Sequence, residues 1–265
     1  MANSTLVQQD PWGHLKAYTR ARIALGRTGV SLPTEEILQF GYAHAMARDA
    51  VHAPLDSVAF CAQLQENGFD SIQVRSAVTD RASYLLRPDL GRQLAAESLA
   101  SLHTCEQTSC DLALVVGDGL SSLAVSRHAL PVLIALRALL PQTLQVAPVI
   151  VAQQARVALS DQVGELLKAR IVAMLVGERP GLTSPDSLGV YITYQPHVGR
   201  QDSERNCISN IRPEGLPYAE AARKVHWLLV EALRLQLSGV GLKDESEMVQ
   251  VSHAQTGQLS PPTSV

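Results

Sequence analysis

The chain has 265 residues, of which 46% are hydrophobic, and a formal net charge of −3 from 22 basic and 25 acidic residues. This length allows one large domain or two modest ones with a proper core, and the composition argues against wholesale disorder. The charge balance excludes the basic footprint of a nucleic-acid-binding protein, and no apolar run reaches membrane-spanning length. Four cysteines and an N-terminus without a signal-peptide pattern predict a cytoplasmic protein with reduced thiols.

The first part of the chain has helical patterns and lacks regular alternation of strands and helices. Residues 1–10 are polar, and we predict that they are disordered. Capping residues, N-terminal prolines and helical periodicity predict helices that begin near Asp10, Thr34, Asp56 and Leu90, the last of them running to residue 102. Residues 72–75 are predicted to be extended. We therefore predict a smaller helical N-terminal domain at residues 11–104.

The pattern changes after a polar break at residues 105–110. Apolar, β-branched runs predict strands at 112–116, 146–151, 171–176 and 188–194. Helices are predicted at 123–140, 161–168 and 218–237, and a long loop at 195–217 includes a short extended piece at 207–211. This alternation is typical of right-handed βαβ units. The predicted fold class is α/β, with a Rossmann-like, mostly parallel sheet and flanking helices at residues 105–243, followed by a disordered tail at 244–265.

The segment at residues 171–182 is the most informative one for function. A buried-type strand stops at Gly177, and Glu178 and Arg179 follow in a loop with Pro180 and Gly181. Ligands of open α/β sheets bind outside the carboxyl ends of the strands, where this loop lies. Glu178 and Arg179 are candidates for binding a ligand's amides or an acidic group, and the alternative is a solvated ion pair of little energetic value.

A glycine-containing segment, Gly117 to Ser122, also follows a predicted strand and opens a helix. It resembles a dinucleotide-binding motif without its third glycine. The next predicted strand ends in glutamines and Arg156, and it lacks the acidic residue that would bind a ribose. A tight strand-to-helix turn is therefore favoured over nucleotide binding.

Other chemical motifs give little support for a self-sufficient catalytic site. Cys105 and Cys110 lack the spacing of a zinc site, so we predict no metal site. Cys207 is a lone thiol in a polar segment, and such thiols are more often packed than nucleophilic. The sequence contains no nucleophile elbow, P-loop or HExxH motif. Residue chemistry alone thus indicates a ligand-binding α/β domain.

Several segments, in order and at fitting spacings over nearly all of residues 12–242, resemble one known family. They are ARIALGRTG (21–29), VRSAVTDRASYLLRPDLGRQL (74–94), ARVALSDQVGELL (155–167), LVGERPGL (175–182) and RNCISNI (205–211). The sequence is similar to the small subunit of ethanolamine ammonia-lyase. GERPGL and CISNI together are quite specific for this family.

The resemblance implies a subunit of a heteromeric ammonia-lyase that deaminates ethanolamine to acetaldehyde and ammonia with adenosylcobalamin. It implies a hetero-oligomer in which a large TIM-barrel subunit contains the substrate site, so this chain would supply no catalytic residue and would be inactive alone. The family's cobalamin contacts correspond to Val157, Glu178 and Cys207. The sequence lacks the DxHxxG motif, which implies base-on cobalamin. A bacterial microcompartment is left open as a location within the cytoplasm.

Two hypotheses from other classes remain at this point. The chain could be an autonomous nucleotide-binding oxidoreductase, for which the Gly117–Ser122 segment is the motive. It could also be a non-catalytic scaffold subunit whose Arg-rich helical half docks a partner. Ethanolamine turnover with and without a large subunit would separate these hypotheses from the first.

Overall fold

A computed structural model of the protein describes residues 6–104 and 109–247, and within them a six-stranded sheet with the strand order β1-β3-β2-β4-β5-β6. The strands are β1 Ser71–Arg75, β2 Leu112–Gly117, β3 Val149–Gln153, β4 Ile171–Gly177, β5 Leu188–Tyr194 and β6 Arg205–Ile211. The sheet and the helices around it confirm the predicted α/β class.

Seven α-helices surround the sheet in the described residues. They are α1 Thr34–His52, α2 Ser57–Glu66, α3 Arg81–Leu86, α4 Ala96–Thr104, α5 Ser122–Arg137, α6 Leu159–Leu166 and α7 Tyr218–Leu235. The side chains of Asp56, Asp80 and Ser121 cap α2, α3 and α5 by accepting a backbone N–H of the first turn. The helix predicted from Asp10 is a short 3₁₀ helix, Pro11–Ala17, and the one predicted from Leu90 is a 3₁₀ turn followed later by α4.

The sheet is mixed, so the prediction of a mostly parallel sheet is wrong. The pairings β1–β3, β3–β2 and β2–β4 are parallel, whereas β4–β5 and β5–β6 are antiparallel. The segments between the last three strands, 178–187 and 195–204, contain no α-helix. A parallel crossover needs a dozen or more residues and usually a helix, so these short links return the chain in the opposite direction.

Successive side chains of the central strands point to opposite faces of the sheet, and a hydrophobic core lies on each face. In β2, Leu112, Leu114 and Val116 pack with α2, α5 and α7, whereas Ala113 and Val115 face α4 and α6. Burial on both faces explains why this strand is uninterrupted by polar residues.

Segments on either side of the predicted Rossmann-like domain contact it. β1 comes from the region predicted as a helical domain and pairs in parallel with β3. At the other end, Asp244 and Glu247 form ion pairs with Lys224 of α7, and Ser246 is buried. Residues 1–5, 105–108 and 248–265 lie outside the described residues. The helical N-terminal domain and the disordered termini stay predictions.

Helix α1 is much less buried than the helices that pack on the sheet. Of the residues of α1, Ala50 alone is buried, although the helix begins with several apolar side chains.

In residues 6–104 and 109–247, no helix combines the length and the apolar character that crossing a membrane requires.

Candidate functional site

An open cavity of about 470 Å³ lies at the carboxyl ends of β2, β3 and β4. Its lining comes from the ends of these strands and the segments that follow them, at residues 119–120, 155–157 and 176–179, together with Tyr84 and Tyr191. This is the sheet edge at which ligands of α/β proteins bind. Of the predicted site residues, Val157 and Glu178 line the cavity.

Close backbone packing of the β2 and β4 ends forms the floor of the cavity. Gly119 has φ +56°, and a Cβ at this position would lie 2.2 Å from the carbonyl oxygen of Gly177. The N–H of Leu120 donates to the same carbonyl at 2.9 Å. Glycine is needed here because the approach leaves no space for a side chain. The Gly117–Ser122 segment is thus the tight strand-to-helix turn that the sequence favoured.

Asp118, in the same turn, points into the protein and organises the end of β3. Its carboxylate accepts the N–H groups of Gln154 and Ala155 at 2.9 and 3.0 Å, and Arg81 Nη1 lies 3.5 Å away. Burial raises the pKa of Asp118 above its ordinary value, although these donors oppose the rise. Asp118 therefore holds the segment from which Val157 lines the cavity.

Glu178 is fixed by three hydrogen bonds. Ser187 donates its hydroxyl to Oε2, Ser209 donates to Oε1 at 2.5 Å, and the backbone N–H of Asn210 lies 3.3 Å from Oε2. The described residues include no ion pair between Glu178 and Arg179, so the alternative of a solvated pair is wrong. A carboxylate has about four lone-pair sites, so one remains for a further donor.

A β-bulge explains how Ser209 and Asn210 reach Glu178. The register of β5 and β6 shifts between Leu188 and Val190, and Asn210 has φ +60°. A bulge releases a backbone N–H from the strand ladder and changes the direction of neighbouring side chains. Opposite the bulge, a Cβ on Gly189 would lie 2.8 Å from Glu178 Oε1. Gly189 therefore leaves the space that the carboxylate occupies.

Cys207 lies in strand β6, so its predicted position in a loop is wrong, although the suggested extended piece at 207–211 is confirmed. It lies opposite Tyr191 in the antiparallel pairing of β5 and β6. Desolvation raises the pKa of the Cys207 thiol, and the negative charge of Glu178 adds to the rise. The thiol is therefore protonated at neutral pH and is a poor nucleophile. Cys207 does not line the cavity itself, but Tyr191 does, and Tyr191 lies opposite Cys207 on the neighbouring strand.

Val157 is half-buried and lies in the turn that leads into α6. Its carbonyl accepts the N–H and the hydroxyl of Ser160, at 3.0 and 2.8 Å, which fixes the turn. The side chain packs on the core cluster below and also faces the cavity. Val157 thus supplies an apolar surface to the cavity that Glu178 also lines.

Three further residues of the site were not predicted from the sequence: Tyr84, Arg156 and Tyr191. Tyr84 is fully buried and donates its hydroxyl to the carbonyl of Ala155 at 3.0 Å. The guanidinium groups of Arg81 and Arg156 lie 4.6 and 4.2 Å from its ring centroid. Desolvation raises the pKa of Tyr84 and of Tyr191, so both phenols are neutral hydrogen-bonding groups. In the described chain, no cluster of three or more His, Cys, Asp or Glu residues could hold a metal ion.

Comparison with known proteins places the chain in a family. A model of the ethanolamine ammonia-lyase light chain matches residues 9–243. The chain belongs to this family. The sequence resemblance to the ethanolamine ammonia-lyase small subunit is confirmed.

Named relatives in several bacteria match the chain over nearly its full length. Each is described as an ethanolamine ammonia-lyase small subunit. The relative from Pseudomonas fluorescens is 54% identical over 247 residues, which cover 91% of this chain and 89% of the relative. That from Azotobacter vinelandii is 51% identical over 261 residues, or 97% of each chain. That from Xanthomonas campestris is 52% identical over 265 residues, covering 98% of this chain and 97% of the relative.

Proposed function

We propose that the chain is the small subunit of ethanolamine ammonia-lyase and that it binds and encloses part of adenosylcobalamin at the interface with a large subunit. The enzyme would deaminate ethanolamine to acetaldehyde and ammonia. The observation behind the cofactor proposal is the open cavity that Val157 and Glu178 both line, together with Tyr191, the residue of β5 that lies opposite Cys207.

The chemistry of the cavity fits the edge of a corrin. A corrin bears peripheral amides, which donate N–H bonds, and Glu178 has acceptor capacity beyond its three bonds within the chain. Val157 offers an apolar surface for the macrocycle, and Tyr191 adds a neutral phenol. The pairing of Tyr191 with Cys207 fixes the β6 side of the site.

The size of the cavity supports a cofactor site shared between two proteins. A cobalamin is too large for an open cavity of about 470 Å³, so a partner would have to cover the remainder. Adenosylcobalamin supplies the radical chemistry when bound, and this chain would orient it and exclude water. The proposal includes base-on binding, a TIM-barrel large subunit and a cytoplasmic location, free or inside a bacterial microcompartment.

Exposed apolar side chains in the N-terminal region favour a permanent partner. Residues 12–42 include large apolar side chains that are half or more exposed, and an accumulation of exposed apolar side chains is a feature of interaction sites. They are Trp12, Tyr18, Val30, Leu32, Ile37, Leu38 and Tyr42. A hetero-oligomer would cover such a surface.

Reconstitution from separate subunits tests the proposed function. Neither this chain nor its large subunit alone should turn over ethanolamine with adenosylcobalamin, whereas the mixture should, and the mixture should retain cobalamin through gel filtration. Turnover by this chain alone would contradict the proposal, and so would full activity of the large subunit without it. NAD binding by the chain would support the oxidoreductase hypothesis instead.

A further inference from the structure

The cavity lining has an unbalanced positive charge. It contains two arginines, Arg156 and Arg179, and a single carboxylate, Glu178. That carboxylate accepts its hydrogen bonds from Ser187, Ser209 and Asn210. Within the described residues neither arginine has a carboxylate in ion-pair distance. A cavity with this arrangement attracts an anionic group.

Arg156 is held by several contacts within the protein. Its guanidinium stacks on the ring of Tyr84, and Nη2 donates to the carbonyl of Tyr84 at 3.2 Å. The side chain also passes close to Gly91, where a Cβ would lie 2.9 Å from Cγ of Arg156. The planar group is therefore held in one orientation, and little conformational entropy is lost when it binds a ligand.

The Nε atom of Arg156 is buried and has no hydrogen-bond partner in the part of the chain that the structure describes. A buried donor without an acceptor costs free energy, and few native groups remain in this state. The guanidinium therefore keeps its charge without an anionic partner among the described residues, and an anion in the cavity that Arg156 lines would compensate it. Guanidinium groups match the geometry and charge of phosphate especially well.

We infer that Arg156 binds the phosphodiester of the nucleotide loop of cobalamin. The inference rests on the proposed function, and it extends the site beyond Val157, Glu178 and Cys207. The peripheral amides of the corrin are neutral, so the phosphodiester is the anion that this cofactor offers. Arg156 follows β3 and Glu178 follows β4, with β2 between them. Two strand spacings, about 10 Å, separate the loops, so phosphate and amide would bind at different ends of the cavity.

A series of three corrinoids tests the inference on the assembled complex of both subunits. Cobinamide lacks the phosphate, cobinamide phosphate has it without the base, and cobalamin has the complete loop. We expect Arg156→Gln to weaken binding of cobalamin and cobinamide phosphate at least about tenfold, and binding of cobinamide less than about twofold. Equilibrium dialysis measures the dissociation constants, and Arg156→Lys should retain part of the affinity.

Arg137→Gln is a matched control, because Arg137 also stacks on an aromatic ring, Phe69, and donates to backbone carbonyls. It lies outside the cavity lining, so all three affinities should stay unchanged. An equal loss for all three corrinoids in Arg156→Gln, or no loss for any, would overturn the inference while leaving the proposed function standing. A wild-type complex that binds none of the three would contradict both.

Discussion

Glu178→Ala is expected to weaken cobalamin binding by the assembled complex about 10- to 100-fold, which corresponds to the loss of a hydrogen bond to a charged group. Glu178 meets the cavity with a carboxylate already oriented by Ser187, Ser209 and Asn210, so its removal takes away a fixed acceptor. These partners are hydroxyl and backbone groups at a partly exposed sheet edge. We therefore expect the fold and the subunit assembly to be unchanged, as measured by gel filtration beside the binding titration.

Two further variants make this test specific. Glu66→Ala removes a carboxylate from the exposed surface of α2 and should leave the affinity unchanged. Gly189→Ala keeps Glu178 but places a methyl group 2.8 Å from its Oε1, so it should displace the carboxylate and reduce affinity in part. Wild-type affinity in Glu178→Ala would remove this residue from the cofactor site.

Asp161→Ala is expected to lower the free energy of unfolding by about 3–5 kcal/mol, the range for breaking a buried ion pair. Both Nη atoms of Arg205 donate to this carboxylate, at 2.5 and 2.6 Å, and both side chains are almost completely buried. Burial alone would lower the pKa of Arg205, but the paired carboxylate raises it overall, so the guanidinium stays charged. Without Asp161, this charge would remain in the interior with too few partners. Urea denaturation of the purified chain measures the change.

Asp202 provides the control for this variant, because it faces the same arginine from the surface. Its side chain is 98% exposed and lies 3.6 Å from Nε of Arg205. Solvent screening makes such pairs weak, so Asp202→Ala should hardly alter the denaturation midpoint. Equal midpoints for the two alanine variants would show that the buried pair does not stabilise α6 against β6.

The central strands could be predicted from the sequence because they are buried on both faces. β2 and β4 have continuous apolar runs, and both strands were predicted within one residue of their ends. The direction of β5 could not be derived from its own residues, since alternation is the same in parallel and antiparallel strands. The sequence did contain one indication of an antiparallel β5: residues 178–187 are too few for a helical crossover between parallel strands.

The position of the candidate cavity could be predicted where it depends on strand ends and not where it depends on distant contacts. Glu178 could be proposed as a candidate because it follows a buried strand, and Val157 and Cys207 were proposed from the family resemblance. The Tyr84–Arg156 contact joins residues more than seventy positions apart, and no local pattern indicates it. The bulge at Ser209 and Asn210 depends on the register between β5 and β6, which the sequence leaves open.

A structure of this chain assembled with its large subunit and cobalamin tests the central claim most directly. We predict corrinoid atoms within about 4.5 Å of Val157 and Glu178, with Cys207 and Tyr191 at the edge of the same site. A tetrapyrrole bound elsewhere, without contact to any of these four residues, would contradict it.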